Sequence, residues 1–466
     1  MGTGKRQWRH TCIIAGLLML MLLSSVAIGC RSRVVSSTVN NTFVDVDGLL
    51  TAPASVVASY PTEELNLGND RYAGAPQFLD GVLYTFSYHS DLSQWTTAWD
   101  QATGRRLWSV LTNVDTNVSP ETAFTTDGTH LFFIRADIAT LGEPGVVASI
   151  ACLEKATGAT AWQSTPTVAS SYVYGVRSNI AVHIDEQSHT ADRIYVIGAE
   201  ERTSTTVPPK DEVLHPGIWI WDAATGNLQG RIDWVALSIH PEATGQLLCD
   251  GTTLYAGIPE SASPTLRSTL AAFMCATNKA LWTEQVSGEV TDLIKQGDRL
   301  MALLSNNKQE RSIDVWNVNA GSFDRAERLW TRQIDTNPAH VAVDDKHVYV
   351  QGARGILTAF DLATGAEGWR HPFAPYKTPV TDGPDMGKLY DLYPDMTLTT
   401  TRDVLYVQDG GGLVAGLDPA TGKELWSRRI AQVIWGQTHI ENLFVVQPID
   451  RGFLVLASNG TVDLWK

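Results

Sequence analysis

The chain has 466 residues, 44% of them hydrophobic and 18% charged, and its 50 Asp plus Glu against 35 Lys plus Arg give a formal net charge of −15. A chain this apolar, with no long low-complexity tract, has enough core material to exclude a disordered protein. The acidic balance argues against a nucleic-acid binder and against attraction to anionic lipid by charge.

Residues 1–29 carry Lys5, Arg6 and Arg9, then an apolar run from Ile13 to Ile28, then Gly29 ahead of Cys30. A charged start, a short apolar stretch and small residues before a processing site are the parts of a signal peptide. The run falls short of the roughly 20 apolar residues a spanning helix needs. Val26-Ala27-Ile28-Gly29-Cys30 resembles a bacterial lipobox, which makes Cys30 the expected lipidation site and the acylated N-terminus. An ordinary secretory leader or an N-terminal anchor is the alternative. Several acyl chains, at about 0.8 kcal/mol per buried methylene, hold a protein on a bilayer without spanning it. Loss of the leader leaves 32 Lys plus Arg against 50 Asp plus Glu, a balance of −18.

Residues 30–65 are rich in Ser, Thr, Val and Asn and read as a flexible tether. Within them Thr42 to Asp47 alternates like an edge strand, one that could help close a circular fold. From residue 66 to 466 a unit recurs. It is clearest in Leu413 to Trp426, LVAGLDPATGKELW, a strand, a turn and a second strand. Earlier copies run through Ala98-Trp99-Asp100 to Trp108, Cys152-Leu153-Glu154 to Trp162, and Ile220-Trp221-Asp222, whose closing Trp is displaced to Trp234. Later ones run through Phe273-Met274-Cys275 to Trp282, Val315-Trp316-Asn317 to Trp330, Ala359-Phe360-Asp361 to Trp369, and an eighth ends at Trp465. The intervals between closing tryptophans are 54, 72, 48, 48, 39, 57 and 39 residues. Periods of roughly 40 to 50 with four short strand signals apiece predict an all-β, eight-bladed β-propeller of four-stranded antiparallel blades.

The repeated residues read as architecture. A large apolar residue in the middle of the A-x-D segment faces a neighbouring sheet, the Asp accepts turn N–H groups, and the Gly that follows takes positive φ. Trp108, Trp162, Trp282, Trp330, Trp369, Trp426 and Trp465 are therefore expected to be structural wedges between blades. Asp100, Glu154, Asp222, Asp361 and Asp418 are expected to be turn caps and not catalytic acids. The 11 His show no metal-ligand spacing, and Cys152, Cys249 and Cys275 read as buried thiols, with a disulfide between two of them left open.

The A-x-D-x-x-T-G-x-x-x-W pattern, nearly complete at Ala98 to Trp108, Ala359 to Trp369 and Gly416 to Trp426, resembles the repeat of pyrroloquinoline-quinone-type β-propellers. That family includes quinoprotein dehydrogenases and the BamB-type lipoproteins of the outer-membrane β-barrel assembly machinery. A dehydrogenase resemblance would imply a catalytic Asp, a calcium held by carboxylates and amides, and commonly two adjacent cysteines. The sequence has no Cys-Cys and no acid standing apart from the turn pattern. The expectation is a non-catalytic, cofactor-free, lipid-anchored envelope scaffold with protein partners, barrel-assembly components being the candidates the resemblance implies. A quinone-dependent enzyme and a carbohydrate- or peptide-binding module are the alternatives. The candidate contact surface is the insertion carrying Tyr376, Asp382, Asp385, Tyr390, Asp391, Tyr393 and Asp395, since loops are where repeat folds place recognition.

Overall fold

The computed structural model describes residues 47–48, 50–51, 53, 56–61, 77–79, 81–88, 94–100, 105–112, 124–136, 148–164, 173–174, 179–185, 187–200, 215–233, 245–260, 266–306, 310–318, 325–334, 341–379, 389–392, 396–409, 413–429, 446–449, 452–456 and 461–465. Nearly all of this is antiparallel strand. In chain order the strands form sheets from residues 77–111, 124–163, 173–233, 246–287, 289–334, 341–372, 396–429 and 446–465. The third has five strands. The other seven have four, the eighth only because Val56–Pro61 is added to it. A separate two-stranded hairpin lies between the sixth and seventh.

All pairing is antiparallel, and in every sheet but the third and the eighth the strands run in sequence order, so short hairpins suffice there; in the third both Val173–Tyr174 and Ala181–Ile184 pair with Ala191–Glu200, and in the eighth Val56–Pro61 pairs with Thr461–Trp465. Alternation then gives the inner strands two apolar faces, while the fourth strands are largely exposed. In the seventh sheet Leu398, Leu405, Val407 and Leu417 pack with residues of the sixth, whereas Val404, Tyr406, Val414 and Trp426 pack with Phe453 of the eighth. The same arrangement links each sheet to the next along the chain. At roughly 25 cal/mol per Å² of apolar surface removed from water, these joints are the main source of stability.

The Leu-Trp pair that ends most units has a geometric cause. In the first seven sheets the ladder between third and fourth strands slips by one residue just after the small residue of the A-x-D segment, for example between Ala98 and Trp99 and between Gly416 and Leu417. Leu107, Ala161, Gln229, Leu281, Leu329, Gly368 and Leu425 are the residues bulged out. Such a bulge bends the strand and re-aims the next side chain, here the closing Trp. Ala98, Cys152, Ala272, Val315, Ala359 and Gly416 pair with Trp108, Trp162, Trp282, Trp330, Trp369 and Trp426 in turn.

This register corrects two readings of the sequence. In the third sheet Ile220 pairs with Gly230, so glycine stands where the tryptophan was expected; Trp234 lies outside the described residues. In the fourth, the bulge follows Ala272, which makes Phe273 the middle residue and puts Met274 in the place of the turn Asp. Period-two alternation cannot see a bulge, because one extra residue shifts every later side chain to the other face. The strand contributed from the N-terminal side is Val56–Pro61, inside the stretch read as tether; Thr42 to Val46 lie outside the described residues and Asp47 is not in a strand.

Candidate interaction surfaces and the broken repeat

The turn acids bond to their own turns. Asp222 Oδ1 accepts Thr225 N–H and Oγ1–H, both at 2.8 Å, and Asp361 Oδ1 accepts the same groups of Thr364 at 2.8 and 2.6 Å. Asp418 Oδ1 accepts the N–H of Ala420 and Thr421 at 2.9 and 3.0 Å. Partial burial would push the pKa of Asp222 up, but the hydrogen bonds from Thr225 and Gln229 outweigh it and hold its carboxyl below the usual range. For Asp361 the bonds from Thr364 lead and act the same way. These groups are anchored anions in turns, poorly suited to be general bases.

Four of the described joints are each built from a wedge and a seat. Trp108 Nε1–H donates to Lys155 O at 2.8 Å, Trp162 to Ala223 O at 2.9 Å, Trp330 to Leu362 O at 3.0 Å and Trp369 to Pro419 O at 3.0 Å. In every case the acceptor is the residue after the turn acid of the next sheet. The indole lies over the glycine of that turn: a methyl group at Gly158, Gly226, Gly365 or Gly422 would stand 2.7, 2.7, 2.7 or 2.5 Å from Cδ2 of Trp108, Trp162, Trp330 or Trp369. Glycine is thus required twice over, for a φ of +67 to +71° and for the close approach. Trp282 is buried in the joint between the fourth and fifth sheets. Trp426 stacks on Phe453 of the eighth sheet (5.9 Å, 10°), which stacks in turn on Trp465 (6.3 Å, 11°).

The joint between the third and fourth sheets departs from this rule on both sides. Gly230 replaces the wedge, and a methyl group there would meet nothing within 4 Å. The seat carries Asn278 at φ +57° where the others carry glycine. An asparagine Cβ could not lie under an indole, so the two departures fit each other. The carbonyl that an indole would have satisfied, Cys275 O, accepts instead from the Arg193 guanidinium and from Tyr195 Oη at 3.4 Å. Asn278 Oδ1 is buried with no partner.

Cys152, Cys249 and Cys275 are buried and reduced. Burial, with Asp127 and Glu154 nearby, pushes the Cys152 thiol up to about 12. Cys249 Sγ and Cys275 Sγ are 3.6 Å apart. Among the described residues no three His, Cys, Asp or Glu are placed to hold a metal ion.

Of the insertion residues, Tyr376, Tyr390 and Asp391 fall on the hairpin of Tyr376–Pro379 and Leu389–Leu392, in which Tyr376 pairs with Leu392, Lys377 with Asp391 and Thr378 with Tyr390. Asp382, Asp385, Tyr393 and Asp395 lie outside the described residues, as does Cys30. The interruption is therefore a folded element between two sheets. Gly230, Asn278 and Arg193 were not singled out together by sequence reasoning; the signal was a unit lacking Trp followed by a unit with Asn in place of Gly.

A family model described as outer membrane protein assembly factor BamB matches residues 93–371 and 380–466. No curated protein matches the sequence. Similar solved structures include the quinohemoprotein alcohol dehydrogenase of Comamonas testosteroni (12% identity, TM-score 0.54, covering 92% of this chain and 79% of that one). A europium-containing methanol dehydrogenase is 11% identical with TM-score 0.52, over 91% of this chain and 89% of that one. BamB of Moraxella catarrhalis is 13% identical with TM-score 0.47, over 88% and 97%. At these identities the likeness to the dehydrogenases shows fold alone, that of a β-propeller of the pyrroloquinoline-quinone type.

Proposed function

Because the chain belongs to the family of the outer membrane protein assembly factor BamB, we propose that it is a non-catalytic β-propeller of the cell envelope, exported and held by a lipid on Cys30. It acts as a protein-interaction scaffold in outer-membrane protein assembly. The eight sheets are its blades, and Val56–Pro61 joins the chain's start to its last blade.

The observation that carries this reading is the family match over both long segments, together with where it breaks. The gap at residues 372–379 contains Tyr376–Pro379, the first strand of the inserted hairpin. The match resumes at residue 380 and takes in Leu389–Leu392, the second strand, so the break falls on one side of the hairpin, and we assign the hairpin as the surface for its partner. A hairpin suits the task, since it presents side chains on a framed ladder without disturbing the sheets on either side. A quinone enzyme needs carboxylates free to hold calcium and to take a proton, and the repeated acids described above are spent on their turns. They do not fit that chemistry.

The ends of the hairpin are paired at Tyr376 and Leu392, so residues 376–392 can be replaced by a short linker with the sixth and seventh sheets kept. Crosslinking and pull-down from intact envelopes, with this deletion as control, should recover barrel-assembly proteins with the native chain and lose them with the variant. Recovery of polysaccharide, or of nothing, overturns the scaffold reading. Absorbance of a bound quinone after reconstitution with calcium overturns the non-catalytic one.

A further inference from the structure

We propose that Cys249 and Cys275 form a convertible dithiol, closed to a disulfide by exchange with a disulfide oxidant, and that the bond braces the seat of the one described joint without a tryptophan wedge. Cys249 lies on the first strand of the fourth sheet and Cys275 follows its third strand, so a bond would tie the edge of the sheet to the turn that forms the seat. The sulfurs are already in contact at 3.6 Å, and a bond of roughly 2.05 Å needs an approach of about 1.5 Å. Both belong to the apolar cluster that joins the third and fourth sheets, with Tyr195, Ile218 and Ile220 on the other side.

The surroundings give the two sulfurs different roles. The hydrogen bond from Cys249 does most to lower the pKa of Cys275, burial opposes it, and His183, Tyr195 and Arg193 add to the lowering. The Cys249 thiol is raised well above its ordinary value by the same hydrogen bond and by burial. The pKa of His183 is itself raised, most by its bond to Asp192 Oδ1 at 2.5 Å and against burial, which favours its charged form beside Cys275. Cys275 is therefore the nucleophile and Cys249 the resolving thiol.

The step balances with an oxidised disulfide such as glutathione disulfide. The Cys275 thiolate attacks one sulfur of the oxidant, breaking its S–S bond and releasing one thiolate. Cys249 Sγ then attacks Cys275 Sγ, forming the intramolecular bond and releasing the second thiolate. The two protons of the cysteines end on the two thiols released, and the two electrons of their oxidation reduce the oxidant. Entry of the oxidant requires the first strand of the sheet to open, which an edge strand does more readily than an inner one.

The test equilibrates the full chain with glutathione buffers from fully reduced to fully oxidised, traps thiols with an alkylating agent under denaturing conditions, and maps the peptides. The oxidised end should yield the Cys249 and Cys275 peptides joined to each other, with Cys152 alkylated throughout. The oxidised protein should unfold about 4 °C above the reduced one, as expected for a loop of this length in a chain of this size. That difference should vanish in the Cys249→Ser/Cys275→Ser variant. Both peptides remaining alkylatable in oxidised buffer, even after warming to the onset of unfolding, overturns the proposal, as does equal capture of Cys152. The readout is independent of where the protein resides and of its partner, so failure here and failure of the scaffold reading are separate results.

Discussion

Substituting Gly422 by Ala tests the wedge-and-seat joint directly. The new methyl group would stand 2.5 Å from Cδ2 of Trp369 and would occupy a residue at φ +67°. A left-handed non-glycine residue costs about 1 to 2 kcal/mol. Overpacking a joint adds roughly 1 to 3, and displacing the indole from Pro419 O removes a hydrogen bond worth about 1. Together these give a loss of about 3 to 6 kcal/mol. Gly297→Ala is the matched control, because its φ is +54° but nothing lies within 4 Å of the added methyl; only the backbone term applies, about 1 to 2 kcal/mol. Urea unfolding, with midpoint and slope fitted separately, measures both. Adding Trp369→Gly to Gly422→Asn should recover part of the loss of the asparagine variant alone, since it recreates the Gly230 and Asn278 combination of the unwedged joint. Equal losses for Gly422→Ala and Gly297→Ala, or strict additivity in the tryptophan–asparagine cycle, would falsify the claim that the glycine exists to seat the indole.

Acid sensitivity should trace in part to Asp127, whose side chain accepts Thr129 N–H, His130 N–H and, across to the third sheet, Ala191 N–H at 2.8, 2.7 and 3.0 Å. Burial raises its pKa but these bonds prevail and depress it below 3.8. The stabilisation is thus full above that value and is lost as pH falls through the lower folded one. Asp127→Asn should lower stability at neutral pH by about 2 kcal/mol and flatten the acid limb of the stability profile; an unchanged limb counts against it. Cells fed a clickable fatty acid should label the wild-type protein and not Cys30→Ser, and an unlabelled wild type removes the lipid anchor.

Much of the fold was legible because each unit states its own local structure. Val404-Leu405-Tyr406 and Gly416-Leu417 alternate as strands, Thr421-Gly422 marks the turn, and Trp426 ends the unit. What the sequence hid was register and partner choice. The bulge before each Trp leaves no trace in a period-two pattern, which is why Met274 seemed to be a middle residue and Trp234 a closing one. The wedge's acceptor lies 47 residues downstream for Trp108 and 61 for Trp162, and nothing local announces such a pairing. The insertion was visible as an interruption between Trp369 and Val404. That it folds as a hairpin was not, since Tyr376–Pro379 is too short a run to stand out from a loop.

The pairing of Val56 with Trp465 sets a timetable for the molecule. A chain emerging from its amino end makes its other sheets from neighbours, one hairpin at a time, but the strand made first must wait 409 positions for its partner. Completion of the eighth sheet is therefore the longest-range event in folding and is expected to be among the slowest. Until it happens, the strand Thr461–Trp465 lacks the neighbour on its outer side and offers an open edge to other chains. A variant lacking Thr461–Trp465 would leave Val56–Pro61 with no strand to pair with and Gly452–Leu456 with an open edge, so an exposure that is transient in folding would become permanent.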